Sequence, residues 1–252
     1  MTGATGSAAR PSPEEADRGQ SSVVGAALLL GMTVVALGLL TASVGTLVQG
    51  QAARADADRV AADLTAGLDP VEATGHRTAT VRFSDGRLYT AERQVRVYDR
   101  GGLVANLDAG ALVYETDDHR VAAVAGAIVR GRDENAWFAE PPPVVGSAAD
   151  GVLVVGVATL SAPSQSVGGG RVTARLETNV THDRRSLGPG RYSVAVETRA
   201  PAAFERYFAD RGATVSRRDI DGDGVESVVA AFPGQRRGYV VDHAMRLEVE
   251  HA

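Results

Sequence analysis

The sequence predicts an α+β protein: a long N-terminal hydrophobic, transmembrane helix followed by a mainly antiparallel, β-sandwich-like head. Three observations predict it. Val23 to Val48 is a run of 26 apolar or small residues without a charge. After Gln51 the pattern becomes an amphipathic helical seam. From His76 onward, apolar residues recur at every second position between Gly- and Asp-rich turns.

The span is the first element. A bilayer core about 30 Å thick takes about 20 helical residues. The apolar part of a cleaved secretory signal is about 7–15 residues. The run at 23–48 is therefore long enough to be retained and to cross with some tilt. Ala53-Arg54-Ala55 has the form of a signal-peptidase site and is the feature that points the other way. Arg10 and Arg18 precede the run and Arg54 and Arg59 follow it, so flanking positive charge does not orient it. At about 100° per residue, Ala27, Gly31, Gly38, Ala42 and Gly45 fall on one side. Such a stripe lets two helices approach closely, as a helix that bundles with copies of itself requires. Small residues are also frequent in membrane helices generally.

The helix is expected to continue to residue 68. Ala53, Ala57, Val60, Leu64 and Leu68 are spaced by four, three, four and four, one face of a helix. Asp56 to Arg59 and Arg59 to Asp63 add helical ion pairs on other faces. Gly67 offers a stop, and Asp69-Pro70 ends the element.

The head is expected over 76–252. Ala79, Val81 and Phe83 alternate with Thr78, Thr80 and Arg82, and Asp85-Gly86 signals a hairpin. Strands are predicted around Val95 to Asp99, at 112–115, within 120–130, at 152–160, 171–177, 192–196, 226–232 and 239–248. One helix is predicted in the head, over 202–210, with Phe204, Tyr207 and Phe208 as its stripe and Pro201 in its first turn. Short strands with Gly-rich turns favour an antiparallel sandwich. Residues 141–150, beginning Pro141-Pro142-Pro143, are the expected hinge.

Residues 1–16 are mostly small and polar, a composition that reads as disordered. They lead into Asp17-Arg18-Gly19, then Gln20-Ser21-Ser22-Val23-Val24-Gly25. A basic residue, a Gly, a short polar step and an apolar helix in that order resemble the class III (prepilin-type) signal peptide of archaeal type IV pilin-like proteins. The Ser-Ser-Val-Val-Gly stretch resembles the openings of halophilic archaeal pilins, with Ser22 where Pro is usual. The chain lacks the Glu that bacterial pilins and archaeal flagellins carry near the mature start. The resemblance implies a leader over 1–19, cut between Gly19 and Gln20, with Arg18 holding it at the cytoplasmic surface. It also implies retention of the apolar helix. The implied partners are the membrane, a prepilin-type peptidase, the pilus assembly machinery and further copies of the chain in an oligomer or filament.

Composition excludes several classes. A net charge of −5 opposes a nucleic-acid binder that needs a basic face. With no Cys there is no disulfide, thiol nucleophile or Cys metal site. None of the five His pairs at i,i+4; four are expected in turns or near the terminus and His243 in a strand. No nucleophile-elbow motif occurs, and Gly168-Gly169-Gly170 lacks the Lys of a phosphate loop. Asp219, Asp221 and Asp223 with Gly224 match the start of a calcium loop, but its twelfth position is Ala230, and a tight Asp/Gly hairpin explains the same residues. Asn179-Val180-Thr181 is a glycosylation sequon at the end of a predicted strand. Trp137 reads as a core anchor under a loop, with an exposed binding patch as the other reading.

The reading is a non-enzymatic, membrane-anchored surface protein without cofactor, its head outside the cell. It is expected to be a major or minor pilin-like subunit. The alternative is a single-pass anchor displaying a β-sandwich binding module.

Overall fold

The computed structural model describes residues 13–68, 74–100, 102–147 and 151–251. Asp69-Pro70, residues 148–150 of the expected hinge, and residues 1–12 of the expected leader lie outside the described residues.

Helix α1 runs Pro13–Gly67. It starts before the expected Gln20, at Pro13, a residue whose fixed φ suits the first turn of a helix. The chain divides into two units, Met1–Gln51 and Ala52–Ala252. The second unit contains the end of α1 and three β-sheets.

The first sheet is ordered β1 (Gly75–Phe83), β12 (Val172–Gly190), β16 (Arg236–His251), β10 (Val152–Ser161) and β9 (Val144–Ser147). The second is β11 (Ser166–Gly168), β2 (Arg87–Ala91), β5 (Ala111–Glu115), β6 (Arg120–Val124), β7 (Ala127–Arg130) and β8 (Trp137–Glu140). The third is β14 (Thr214–Arg218), β15 (Ser227–Ala231), β13 (Tyr192–Glu197), β3 (Gln94–Asp99) and β4 (Gly102–Asp108). Helix α2, Pro201–Ala209, is the predicted helix of the head, with Pro201 in its first turn. Pairing is antiparallel except between β10 and β16, which run parallel from Val152↔Arg237 to Ser161↔Arg246. Part of the expected hinge is thus strand β9, paired with β10.

The predicted hairpin at Asp85-Gly86 is not one. Strand β1 pairs with β12 and β2 with β5, so this turn carries the chain from the first sheet to the second. Gly86 has φ +108°, and a Cβ there would lie 2.8 Å from the Glu115 carbonyl oxygen, so the corner requires Gly.

The second sheet separates two apolar cores. Along β5, Ala111 and Val113 face one and Leu112 and Tyr114 the other, the period-two alternation of a strand buried on both faces. The first core is completed by the third sheet, by Phe204 and Phe208 of α2, and by Leu153, Val155, Val157 and Val240 of the first sheet. The second receives Val81, Leu176, Met245 and Leu247 from the first sheet, and Ala57, Val60, Ala61, Leu64 and Leu68 from the end of α1 and just after it. The predicted seam is therefore a wall of the head's own core. Asp56, 3% exposed, accepts the Ser84 amide at 2.6 Å; Asp63 accepts the Arg82 amide at 3.4 Å. Gly67 packs so closely that a Cβ would fall 2.4 Å from Ala79 Cβ.

Candidate functional site

Two features of the chain could engage something outside it. One is the apolar stretch of α1. Val24–Thr41 is 18 residues long, apolar enough to cross a membrane, and none of it is buried. Ten large side chains there are more than half exposed, from Val24 at 57% to Met32 at 72%. Covering a side chain of this kind is worth about 1.5–3 kcal/mol. Ten of them give roughly 15–30 kcal/mol, more than the net stability of a typical domain. Ala27 and Gly31 sit in a shallow groove between Val24, Leu28, Met32 and Val35. A Cβ on Gly31 or Gly38 would meet nothing within 4 Å. Nothing is described of the side chains at Ala42 and Gly45, or at Arg18, Gly19 and Gln20, which lie in the helical backbone.

The other is a cleft of about 280 Å³ in the head, where β5, β6, β14, the segment just before β15 and the start of α2 come together. Arg120, Arg132, Arg199 and Arg217 line it, with Glu115, Asp133 and Glu226. Two of the cations are neutralised. Arg217 holds Glu205 through two 2.6 Å hydrogen bonds and Glu134 at 2.9 Å, and these carboxylates raise its pKa. Arg132 donates to Glu115 at 3.3 Å and to the Thr116 carbonyl at 2.6 Å. Burial pushes the Glu115 carboxyl up, but hydrogen bonds from Arg87 and Tyr89, with Arg132 nearby, hold it below the usual carboxylate range.

Arg120 differs. It is 6% exposed and has no ion pair with a described carboxylate. Burial lowers its pKa, and the nearby Arg93 guanidinium lowers it further, against Tyr89 and Glu115. Arg93 is spoken for by Glu197 at 3.5 Å; burial also pushes the Glu197 carboxyl up. Arg199 is exposed at the mouth, without a described ion pair. Pro201 lines the cleft as the first residue of α2, and no side chain caps that helix end.

A family model matches residues 18–248, nearly the whole chain. The chain belongs to the family of unknown function DUF7289. No curated protein and no solved structure matches it.

In this DUF7289 chain the remaining sequence-predicted residues are dispersed. Asn179 is exposed in the middle of β12, between His76 and Arg246, not at a strand end, because β12 continues to Gly190. The Asp219 carboxylate accepts the Gly222 and Gly224 amides at 2.7 and 3.0 Å. Asp221 is held by Arg96 at 2.6 and 2.7 Å, and Asp223 accepts the Val225 amide at 2.9 Å. Among the described residues, no three acidic or His side chains converge as a metal site. Trp137 is 50% exposed beneath the Arg130 guanidinium, so it does not anchor the core; its neighbour Phe138 does, edge-on to Phe204 at 4.9 Å.

The histidines correct the reading most. His76 and His182 lie in strands, not in turns, while His251 ends β16 near the terminus as expected. His182 and His243 are cross-strand neighbours with Nδ1 atoms 2.8 Å apart. Neither this pair nor the Arg120 cleft is legible locally. The one clue to the cleft was an Arg at the head of the apolar segment Val121-Ala122-Ala123-Val124, where burial would strand its charge.

Proposed function

We propose that the protein is a non-enzymatic, membrane-anchored surface protein, and that it is a pilin-like subunit, major or minor, of a type IV pilus-like structure. One observation carries the proposal: an uncharged 18-residue stretch of helix, near the N-terminus, with no residue buried by its own chain. A helix apolar on all sides is stable only in lipid or among other apolar helices. The order Arg18, Gly19, Gln20 ahead of that helix supports processing by a prepilin-type peptidase. The family match, which begins at residue 18 and runs through the apolar helix into the head, supports keeping the two together in one mature chain. In this reading the membrane holds residues 23–48, the head lies outside the cell, and the partners are the peptidase, the assembly machinery and copies of the chain.

The single-pass anchor displaying a binding module is favoured by a different observation. Helix α1 passes through Gly19 and Gln20 without a break, whereas a protease needs extended backbone at its cut. Intact mass of the membrane-extracted native protein separates the two. A chain beginning at Gln20 is the expected result. A chain that keeps residues 1–19 defeats the pilin reading and leaves the anchor. A freely soluble chain lacking residues 23–48 defeats both.

A further inference from the structure

We infer that the cleft bounded by Arg120 and Arg199 binds a small ligand through an oxyanion group, a carboxylate or a phosphate. The inference stands on the head alone and does not depend on how the N-terminal helix is used.

The buried guanidinium carries the argument. An isolated charge taken out of water costs several kcal/mol unless it is paired. Two neighbouring cations meet that requirement internally: buried Arg96 holds both Asp221 oxygens through Nη2, and the half-buried Arg93 faces Glu197. Arg120 has no carboxylate in direct contact, although it is buried beside a second guanidinium; its hydrogen bond is to the neutral Tyr89 hydroxyl, and Glu115 acts on it only from farther away. Glu115, the carboxylate closest to serving it, is already shared by Arg87, Arg132 and the Tyr89 hydroxyl. The unmatched charge also lines an open cleft, where a counter-ion can reach it.

The surroundings suit an oxyanion. Guanidinium groups present paired N–H donors that match the oxygens of carboxylate and phosphate. Arg199 supplies a second unpaired cation at the mouth. The uncapped start of α2, a helix of 9 residues, places the positive end of a helix dipole on the same wall. Asp133 and Glu226, which also line the cleft, repel a second negative charge but accept hydrogen bonds from hydroxyls. The cleft therefore fits one anionic group attached to a neutral or hydroxylated body better than a polyanion.

Titration calorimetry of the full chain in detergent, with inorganic phosphate, glucuronate and neutral glucose as probes, tests this. The expected result is a Kd below about 10 mM for phosphate or glucuronate and no heat with glucose. Phosphate alone would assign a tetrahedral oxyanion, and glucuronate alone a carboxylate. Arg199 is exposed, so Arg199→Ala should fold normally and weaken binding about tenfold. Arg246→Ala removes an exposed Arg of β16, outside the cleft, and should leave binding unchanged. Failure of both anions to bind overturns the inference. So does equal loss in the two variants, which would mean that net charge and not the cleft attracts the ion.

Discussion

Residues 24–41 and 52–67 lie in the same helix and are both rich in apolar residues, yet they solve opposite problems. In the first stretch apolar side chains point in every direction, and none of its residues is buried. In the second they occupy one face, and Ala57, Val60, Ala61 and Leu64 become core. The amount of apolar surface does not separate them; its angular distribution does. A one-sided helix can be satisfied by a sheet of its own chain. A helix apolar all round can be satisfied only by a surrounding medium, lipid or other helices. The charged faces draw the same line. Asp56, Asp58 and Arg59 engage Ser84, Arg130 and each other in the second stretch, while 24–41 contains no charge to engage.

The comparison breaks first, if it is wrong, at Leu64. This side chain is fully buried, and Leu64→Ala should cost about 4 kcal/mol through lost contacts and a residual cavity. Leu30→Ala removes the same atoms from a residue that is 70% exposed and should leave the unfolding temperature of the head unchanged. Thermal unfolding of the full chain in detergent reads both. Equal effects would mean that the two stretches are not distinct in kind. Gly67→Ala should come next, at about 2.5 kcal/mol, because its Cβ would overlap Ala79 and push the helix off the sheet. Gly31→Ala, which meets nothing, should leave the head's unfolding unmoved. Asp56→Ala should cost about 2 kcal/mol, since the Ser84 amide and hydroxyl lose their acceptor. Hydrogen exchange should then show faster opening at Ser84.

What the sequence made legible was whatever a short window decides. The seam at Ala53, Ala57, Val60, Leu64 and Leu68 follows from helical period; the last four are buried and Ala53 is half-buried. The strands predicted at 112–115 and within 120–130 are neighbours in sequence and pair as β5 and β6. Helix α2 lies within one residue of its predicted bounds because its aromatic stripe is local. The failures in topology and in the site involve distant register. At Asp85-Gly86, turn chemistry is the same whether the chain folds back or crosses to another sheet; only the pairing of β1 with β12 and β2 with β5 decides. Strands β10 and β16 are each plausible alone, but nothing in either says that they run parallel. The cleft needs Arg120, Arg199 and Glu226 from three separate segments; Arg120 heads an apolar run, but Arg199 and Glu226 look like ordinary solvated charges in their own windows. The His182–His243 contact likewise exists only through the β12–β16 register.

The smallest expected effect sharpens the comparison from the head's side. Tyr114 is fully buried in the core that the end of α1 helps to close, and it donates to the Asp85 carbonyl at 2.9 Å. Burial, with Asp56 and Asp85 nearby, pushes its pKa up to about 12. An acid whose pKa is higher in the folded than in the unfolded state holds its proton longer when folded. The folded chain therefore binds more protons between the unfolded value near 10 and the folded value, and stability falls as pH rises through that window. Stability should be insensitive to Tyr114 below pH 9 or so, and about 1.4 kcal/mol should be lost by about pH 11. Tyr114→Phe should flatten that loss, and denaturant titrations of both proteins across alkaline pH measure it. Asp56→Ala should move the Tyr114 ionisation to lower pH, because one of the charges that hold the phenol neutral comes from the α1 seam. If Tyr114 ionises at the same pH with and without Asp56, the seam is not seated against this core, and the contrast between the two stretches of helix loses its structural basis.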